Sequence, residues 1–573
     1  MNGFEKRRED FFSKLMSQKY VFDVTTKEID ALTAALDLDM LRVMIDDGTE
    51  GAVEMIRAAT KWFDIPHAEG SVPIDWNPDF LAIRLSWVLA EPLCYNKLPE
   101  DVKEGIRIFF TKKDHRSKFH SENHDLMFRA TRYISAQEYP EEYFENYSMQ
   151  GADMYEHDRK YLHDFLDFRA GQGWGEFDSD YTSHVMIILA GLHKYAKDET
   201  LRVKCHMAMD VILMDMITDS LGYYYAGAHG RTYPGAIIER HRIGMSGLYR
   251  YYFGDGYEKY GGAGRAMFYI TDYVPSPIVY SVVKEKTENF HPYENRERKH
   301  LHSYNTWGGE NIDWENLSQI TGSISKYTYV CQDYAIGGIN RQEDYPEGHR
   351  DAWYAHHQQQ EWEFTLPDTA HKIFSHHMAI SSGPDNRWTG DLYCCCGSFY
   401  TNKDTAIAMY NIDNMNESDI VNAYVPFDAF EEKLLEEKYI FLSYGKLYIS
   451  LYVDNGYTVN DFDEFRNREI RSIGRQNALV LRVAYKSEYG SLSAFADAIK
   501  AMPVVFDREA RVVSFDGITL ERNGNGECGV RNVYPYPEVY KSPYMNSVWD
   551  SKVIEVTDGK STVVYDFVNC CMR

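Results

Sequence analysis

Up to about Lys286, apolar residues recur mostly every three or four positions, as in Leu81-Ala82-Ile83-Arg84-Leu85-Ser86-Trp87-Val88 and Val185-Met186-Ile187-Ile188-Leu189-Ala190-Gly191-Leu192, which is the helical period. The spacing predicts helices near Lys27 to Ala35, Met40 to Phe63, Pro78 to Leu93, Glu100 to Phe110, Glu122 to Glu138, Tyr155 to Arg169, Ser179 to Lys197, Glu199 to Asp219, Ile237 to Phe253 and Gly264 to Ile270. Gly-rich or Pro-containing joints such as Gly171-Gln172-Gly173-Trp174-Gly175 and Tyr233-Pro234-Gly235 mark loops. From about Thr287 the texture changes. Alternating β-branched and aromatic residues predict strands in Gly322 to Val330, Tyr439 to Ser443, Lys446 to Val453 and Ala478 to Val483, with turns such as Asp454-Asn455-Gly456.

The chain therefore reads as α+β and multidomain. An N-terminal incomplete (α/α) toroid occupies residues 1–286, a polar linker 287–317, and a C-terminal antiparallel β-sandwich 318–573. At 573 residues, two hydrophobic cores are the default. No fixed period marks a solenoid.

Composition narrows the partners. The net charge of −26 argues against nucleic-acid backbones and anionic membranes, both of which it would repel, so a polyanionic substrate must meet a local basic patch. No apolar run approaches the roughly 20 residues of a membrane span. The polar start, Met1 to Asp10, lacks the apolar core of a secretory signal, which predicts a cytoplasmic protein or an exported one whose signal has been removed. Nine cysteines, including Cys394-Cys395-Cys396 and Cys570-Cys571, do not form a disulfide framework. Aromatic residues reach 15%, with 45 Tyr, and aromatic faces stack on sugar rings as well as filling cores.

Three polar clusters fall at helix ends in the helical half. In the first, Phe119 to Met127, Ser121 or Glu122 opens a helix and places Asn123 and His124 in its first turn, where outward N–H groups favour an anion; capping by Ser121 and Asn123 is the plain structural alternative. The second, Trp174 to His184, carries Glu176, Asp178 and Asp180 beside Tyr181, either as helix-start electrostatics or as an acid/base set. In the third, Tyr223 to Pro234, Gly227 and Gly230 allow close backbone approach to a ligand, and Arg231 is suited to bidentate pairing with a carboxylate; a tight interhelical turn accounts for it equally well.

The β half offers Trp353 to Trp362. On a strand, His356, Gln358 and Gln360 share one face, and His357, Gln359 and Glu361 the other. His376 and His377 are candidate ligands for a structural divalent metal in this half, although their spacing matches no standard zinc signature. No cofactor is expected. The phosphate-binding Gly-Lys-Ser/Thr loop, the dinucleotide fingerprint, the Gly-x-Ser-x-Gly elbow and His-Glu-x-x-His are missing.

On Asn123-His124 at a helix start, and on Tyr181 followed by the apolar helix Val185 to Leu192, the sequence resembles the toroid-plus-sandwich polysaccharide lyases, the alginate lyase and heparinase II/III group. The domain order agrees over nearly the whole chain. The resemblance implies β-elimination on an acidic polysaccharide or oligosaccharide. Asn123, His124 and Arg231 would neutralise the uronate carboxylate, Tyr181 would serve as base and acid, and His229 would be the reserve base. Glu122, Trp174, Tyr233, His356, His357 and Gln359 would contact the substrate. Where that group often carries an Arg ahead of the tyrosine, this chain has Glu176 and Asp178. That pair supports a second reading, a glycoside hydrolase on the same scaffold, and a non-catalytic glycan-binding protein is a third.

Overall fold

The computed structural model describes residues 2–17, 29–64, 77–117, 121–239, 244–254, 265–300, 323–342, 360–367, 371–378, 386–388, 396–413, 418–522, 528–530 and 535–573. Helices dominate up to Glu288 and antiparallel strands thereafter, so a helical half precedes a β half as the periodicity predicts.

Helix boundaries follow local chemistry. Glu199–Asp219 starts where the Asp198 side chain accepts from the Thr200 and Leu201 N–H groups, and Glu122–Glu138 stops just before Pro140. The helix expected over Met40 to Phe63 is instead two, Ile29–Ile45 and Thr49–Thr60. Asp46 and Gly48 take φ of 58° and 68° between them, a left-handed conformation that no helix continues through.

Several elements escape the hydrophobic pattern, among them the helices Pro277–Glu288 and Leu492–Lys500, and two of them bear on how the halves are built. Asn2–Ser17, in the polar N-terminal stretch, is a helix with Phe4, Phe11 and Leu15 buried on one face. Phe4 stacks on Tyr252 at 5.7 Å and Phe11 lies 4.9 Å from Tyr251, so the first helix closes against Gly244–Phe253 near the end of the helical part. Each buried phenylalanine contributes about 1.5–3 kcal/mol. The other is the strand Tyr293–His300, which lies in the stretch read as linker. Its inward residues, Tyr293, Asn295, Glu297 and Lys299, are all buried, and three of the four are polar.

That strand begins the β half and pairs with Ser323–Val330 and, at Arg296 and Glu297, with Glu538–Lys541. Pairing continues through Ala335–Gln342, Trp362–Thr365, Lys372–His377, Ile420–Tyr424 and Glu469–Ile473. A separate six-stranded sheet packs on this one through a core that includes Ile336, Trp362, Phe364, Ile449, Leu451 and Leu481. Cys396 is buried in the same core, and Cys394 and Cys395 lie outside the described residues. No helix among the described residues is long and apolar enough to cross a membrane.

Candidate active site

All three helical-half clusters meet, and Ser179 is the knot between two of them. Its hydroxyl accepts from the Tyr181 N–H at 3.0 Å and donates to the Arg231 carbonyl. The Gly230 N–H donates to the Phe177 carbonyl at 2.7 Å, and the Tyr233 N–H to Asp180 Oδ2 at 3.3 Å. The loops before helices Thr182–Tyr195 and Pro234–Ile238 are therefore clamped side by side.

Arg231 stands at the centre. Its guanidinium donates to Ser121 Oγ at 3.1 Å, to Glu176 Oε1 at 3.1 Å and to the Tyr233 hydroxyl at 3.2 Å, and its carbon lies 3.8 Å from the Tyr181 ring centroid. Tyr181 donates its own proton to the Tyr233 hydroxyl at 3.1 Å. Burial holds the Tyr181 phenol well above the ordinary tyrosine value, against the downward pull of Arg231. The resting phenol is neutral, with a cation against its face positioned to stabilise a phenolate.

Ser121 occupies the N-cap position of Glu122–Glu138 in extended conformation, but its side chain caps no helix N–H. The hydroxyl instead takes hydrogen bonds from Arg231 and, at 3.0 Å, from Asn123 Nδ2. Asn123 Nδ2 also donates to Glu176 Oε2 at 2.7 Å. Glu176 thus bridges Asn123 and Arg231, the two groups expected to receive a substrate carboxylate. The network is buried at Asn123 and reaches solvent at Tyr233, which is 38% exposed.

His124 bonds through Nδ1 to Asp79 Oδ2 at 2.6 Å. Asp79 opens the helix Asp79–Ala90 and is a partner that sequence reasoning misses, since an acid at a helix start reads as dipole compensation. Phe80 sets its ring edge-on to both His124 and His184, at 5.4 and 5.3 Å. His184 lies 5.3 Å from the Tyr181 ring, and burial, reinforced by Arg84, His124 and Arg231, pushes it down to about 3. It belongs to the second cluster, where residue type alone assigns it no role.

Several expected site residues serve the scaffold. Glu122 is buried, pairs with Arg169 at 2.5 Å and accepts the Gly175 and Glu176 N–H groups, so it fixes the backbone that presents Glu176. Trp174 is buried edge-on against Phe165. His229 is fully buried, with Nδ1 against the Asp178 carbonyl at 3.1 Å and its backbone paired with Gln360. Among the described residues its side chain is closed off from solvent. Gly227 and Gly230 bring the chain close to protein rather than to a ligand: an added Cβ would stand 3.2 Å from Gly337 Cα and 2.7 Å from the Phe177 carbonyl oxygen, respectively. His356, His357 and Gln359 lie outside the described residues.

Asp178 parts company with Glu176. Its φ of 48° turns the side chain into the junction between the two halves, where Lys326 binds it together with Asp219 and, at 3.4 Å, Glu297. Lys299 pairs with Asp215 at 2.6 Å and Glu297 at 3.3 Å. All six side chains are buried. Burial raises Asp178 to about 7 despite Lys326. Burial also works against the Lys326 ammonium, but the surrounding carboxylates outweigh it and hold the group well above the usual lysine value.

Asp178, Asp215 and Asp219 have oxygens within 4.8 Å of one another. They are the acids among the described residues spaced to hold a metal, and the two lysines already balance part of their charge. His376 and His377, nominated for a metal, are buried on the strand Lys372–His377, with His377 Nε2 2.9 Å from the Ser418 carbonyl oxygen.

No protein-family model matches the chain, and no curated protein matches it. Among solved structures it is similar to a heparan sulfate lyase HepC mutant from Pedobacter heparinus, at 10% identity and a TM-score of 0.36, covering 92% of this chain and 89% of that one. It is also similar to the chondroitin AC lyase of Streptomyces coelicolor A3 in complex with chondroitin sulphate, at 8% identity and a TM-score of 0.35, covering 98% and 92%.

Proposed function

We propose that the protein is a polysaccharide lyase that cleaves a uronic-acid-containing glycan by β-elimination. The observation that carries this reading is the Arg231 guanidinium stacked on Tyr181 while it joins Glu176, Ser121 and Tyr233. Tyr181 passes its phenolic proton through the Tyr233 hydroxyl to solvent and, as phenolate, takes the proton from C5 of the uronate. The C5–H electrons form the C4–C5 double bond, the C4–O electrons leave with the glycosidic oxygen, and the same phenol returns a proton to that oxygen. Arg231, Asn123 and His124 lower the cost of negative charge on the carboxylate as the carbanion develops. Substrate binding requires the uronate to take the place of Glu176 on Asn123 and Arg231.

Hydrolysis by Glu176 and Asp178 is disfavoured by placement. Asp178 is 2% exposed and paired with Lys326, so it has no access to an attacking water. The deciding experiment is incubation with alginate, glucuronan, glycosaminoglycans and neutral glycans, following absorbance of the unsaturated uronate. Depolymerisation of uronate glycans without that absorbance sinks the lyase reading in favour of hydrolysis. Binding without depolymerisation favours a non-catalytic glycan-binding protein.

A further inference from the structure

The strands that close the acid–lysine cluster have a second face. Along Tyr293–His300, Asn295, Glu297 and Lys299 point toward the helical half, so Glu294 and Arg296 point the other way. On the neighbouring strand Lys326 enters the cluster and Tyr327 faces opposite. Register pairs Tyr327 with Arg296 on one side and Gly338 on the other. On this far face, where the large sheet meets the edge strand Gly397–Thr401 of the six-stranded sheet, lies a cavity of about 470 Å³.

Three tyrosines, Tyr327, Tyr400 and Tyr536, line the cavity. Burial raises all three phenols, Tyr536 to about 12, so each is a neutral hydroxyl able to donate and to accept. The floor is rigid. Asn340 Nδ2 donates to the Thr401 carbonyl at 2.7 Å while Asn340 Oδ1 accepts the Thr401 N–H at 2.8 Å. The side-chain oxygen of Asn402 receives the N–H groups of Asp404 and Thr405 at 3.1 and 2.9 Å, which fixes the turn at the rim. Arg296 and Lys403 stand at the mouth, both paired with Glu294, at 2.8 and 2.9 Å. In a chain of net charge −26, this mouth carries as many cations as it does anions when Asp404 is included.

Aromatic faces beside fixed planar polar groups, in a preformed concavity of this size, are the chemistry that recognises a pyranose: apolar C–H faces lie on rings and hydroxyls meet side-chain dipoles. We propose that this cavity is a second saccharide-binding site, which holds a sugar unit of a glycan on the face of the sheet turned away from the Tyr181 site. Tyr400, half-buried at the rim, supplies the stacking face. Arg296 and Lys403 receive hydroxyls or a carboxylate. The site draws on the lyase reading only for the choice of probes.

The test is calorimetric titration of the full-length protein and of Tyr400→Ala with alginate and unsulfated chondroitin hexasaccharides, alongside elimination assays on the same probes. Two classes of site are expected in the wild type. Tyr400→Ala should weaken one class about tenfold or more, Tyr400→Phe should retain it because the ring remains, and turnover should stay within about twofold. A single class of site, unchanged in Tyr400→Ala while elimination proceeds, overturns this proposal alone. Binding that depends on Tyr400 without elimination of any glycan supports it and overturns the lyase reading alone.

Discussion

The guanidinium carbon of Arg231 lies 3.8 Å from the centre of the Tyr181 ring, and the two side chains share one acceptor, the Tyr233 hydroxyl. A cation against the ring face and a phenol with a defined proton acceptor form a unit in which each residue sets the other's electrostatics. The unit makes Tyr181 the first residue to change. Tyr181→Phe keeps the ring under Arg231 and removes only the hydroxyl, so turnover should fall roughly 10²–10⁴-fold with the melting temperature nearly unchanged. Turnover near wild type in that variant would reassign the base.

Arg231→Lys is the sharper test of the stack. A lysine ammonium cannot reach Ser121, Glu176 and Tyr233 together while lying flat on the ring. A loss in kcat of about 10²-fold or more is expected, with little change in fold as judged by circular dichroism. A kcat close to wild type would show that the positive charge suffices without the planar fork.

Asp79→Asn removes the charged partner of His124 Nδ1 and leaves the side-chain shape intact. Activity should drop roughly 10²-fold, because the ring loses the partner that fixes its tautomer and orientation. Turnover near wild type in that variant would remove His124 from the reaction.

Acid should destabilise the protein through its sealed histidines. Burial depresses His115 to about 4, and His184 and His376 to about 3, against an unfolded value of about 6.5. Between those values the unfolded chain binds more protons than the native one. The stability these groups supply is therefore complete above about pH 6.5 and is lost as pH falls toward 3 to 4, at about 1.4 kcal/mol per pH unit for each. Urea unfolding of wild type and His376→Asn between about pH 4 and 7.5 checks this: the variant should show the shallower slope.

Lys326→Met leaves Asp178, Asp219 and Glu297 without their shared cation. Destabilisation of about 3–5 kcal/mol is expected near pH 8. The penalty should shrink at about pH 5, because a carboxyl already raised to about 7 is protonated there and needs no partner. An equal penalty at both pH values would mean that packing of the lysine stem, rather than its charge, is what matters.

Much of this is legible in the sequence, and the parts that are not share a cause. Helix Glu122–Glu138 and its Asn123-His124 start stand out because a polar run gives way to a helical period. The strand Tyr293–His300 does not, because hydrophobic alternation finds strands that bury apolar faces, and this one buries Asn295, Glu297 and Lys299 against charged partners. Asp79 is 45 residues from His124, and Ser121 looks like a cap although its hydroxyl faces Arg231. Residue types nominate the site, but which acid faces it depends on one left-handed residue, Asp178, whose conformation no local pattern announces.

The buried cluster gives the two halves a common fate. Lys299 and Lys326 come from the β part, and Asp178, Asp215 and Asp219 from the helical part. The helical segment expressed alone would carry three carboxylates inside it with no counter-ion from these lysines, and the β segment alone would leave the two lysines facing a single glutamate. The change of texture near residue 287 is a boundary of architecture across which this buried charge is balanced, each half holding the counter-ions of the other.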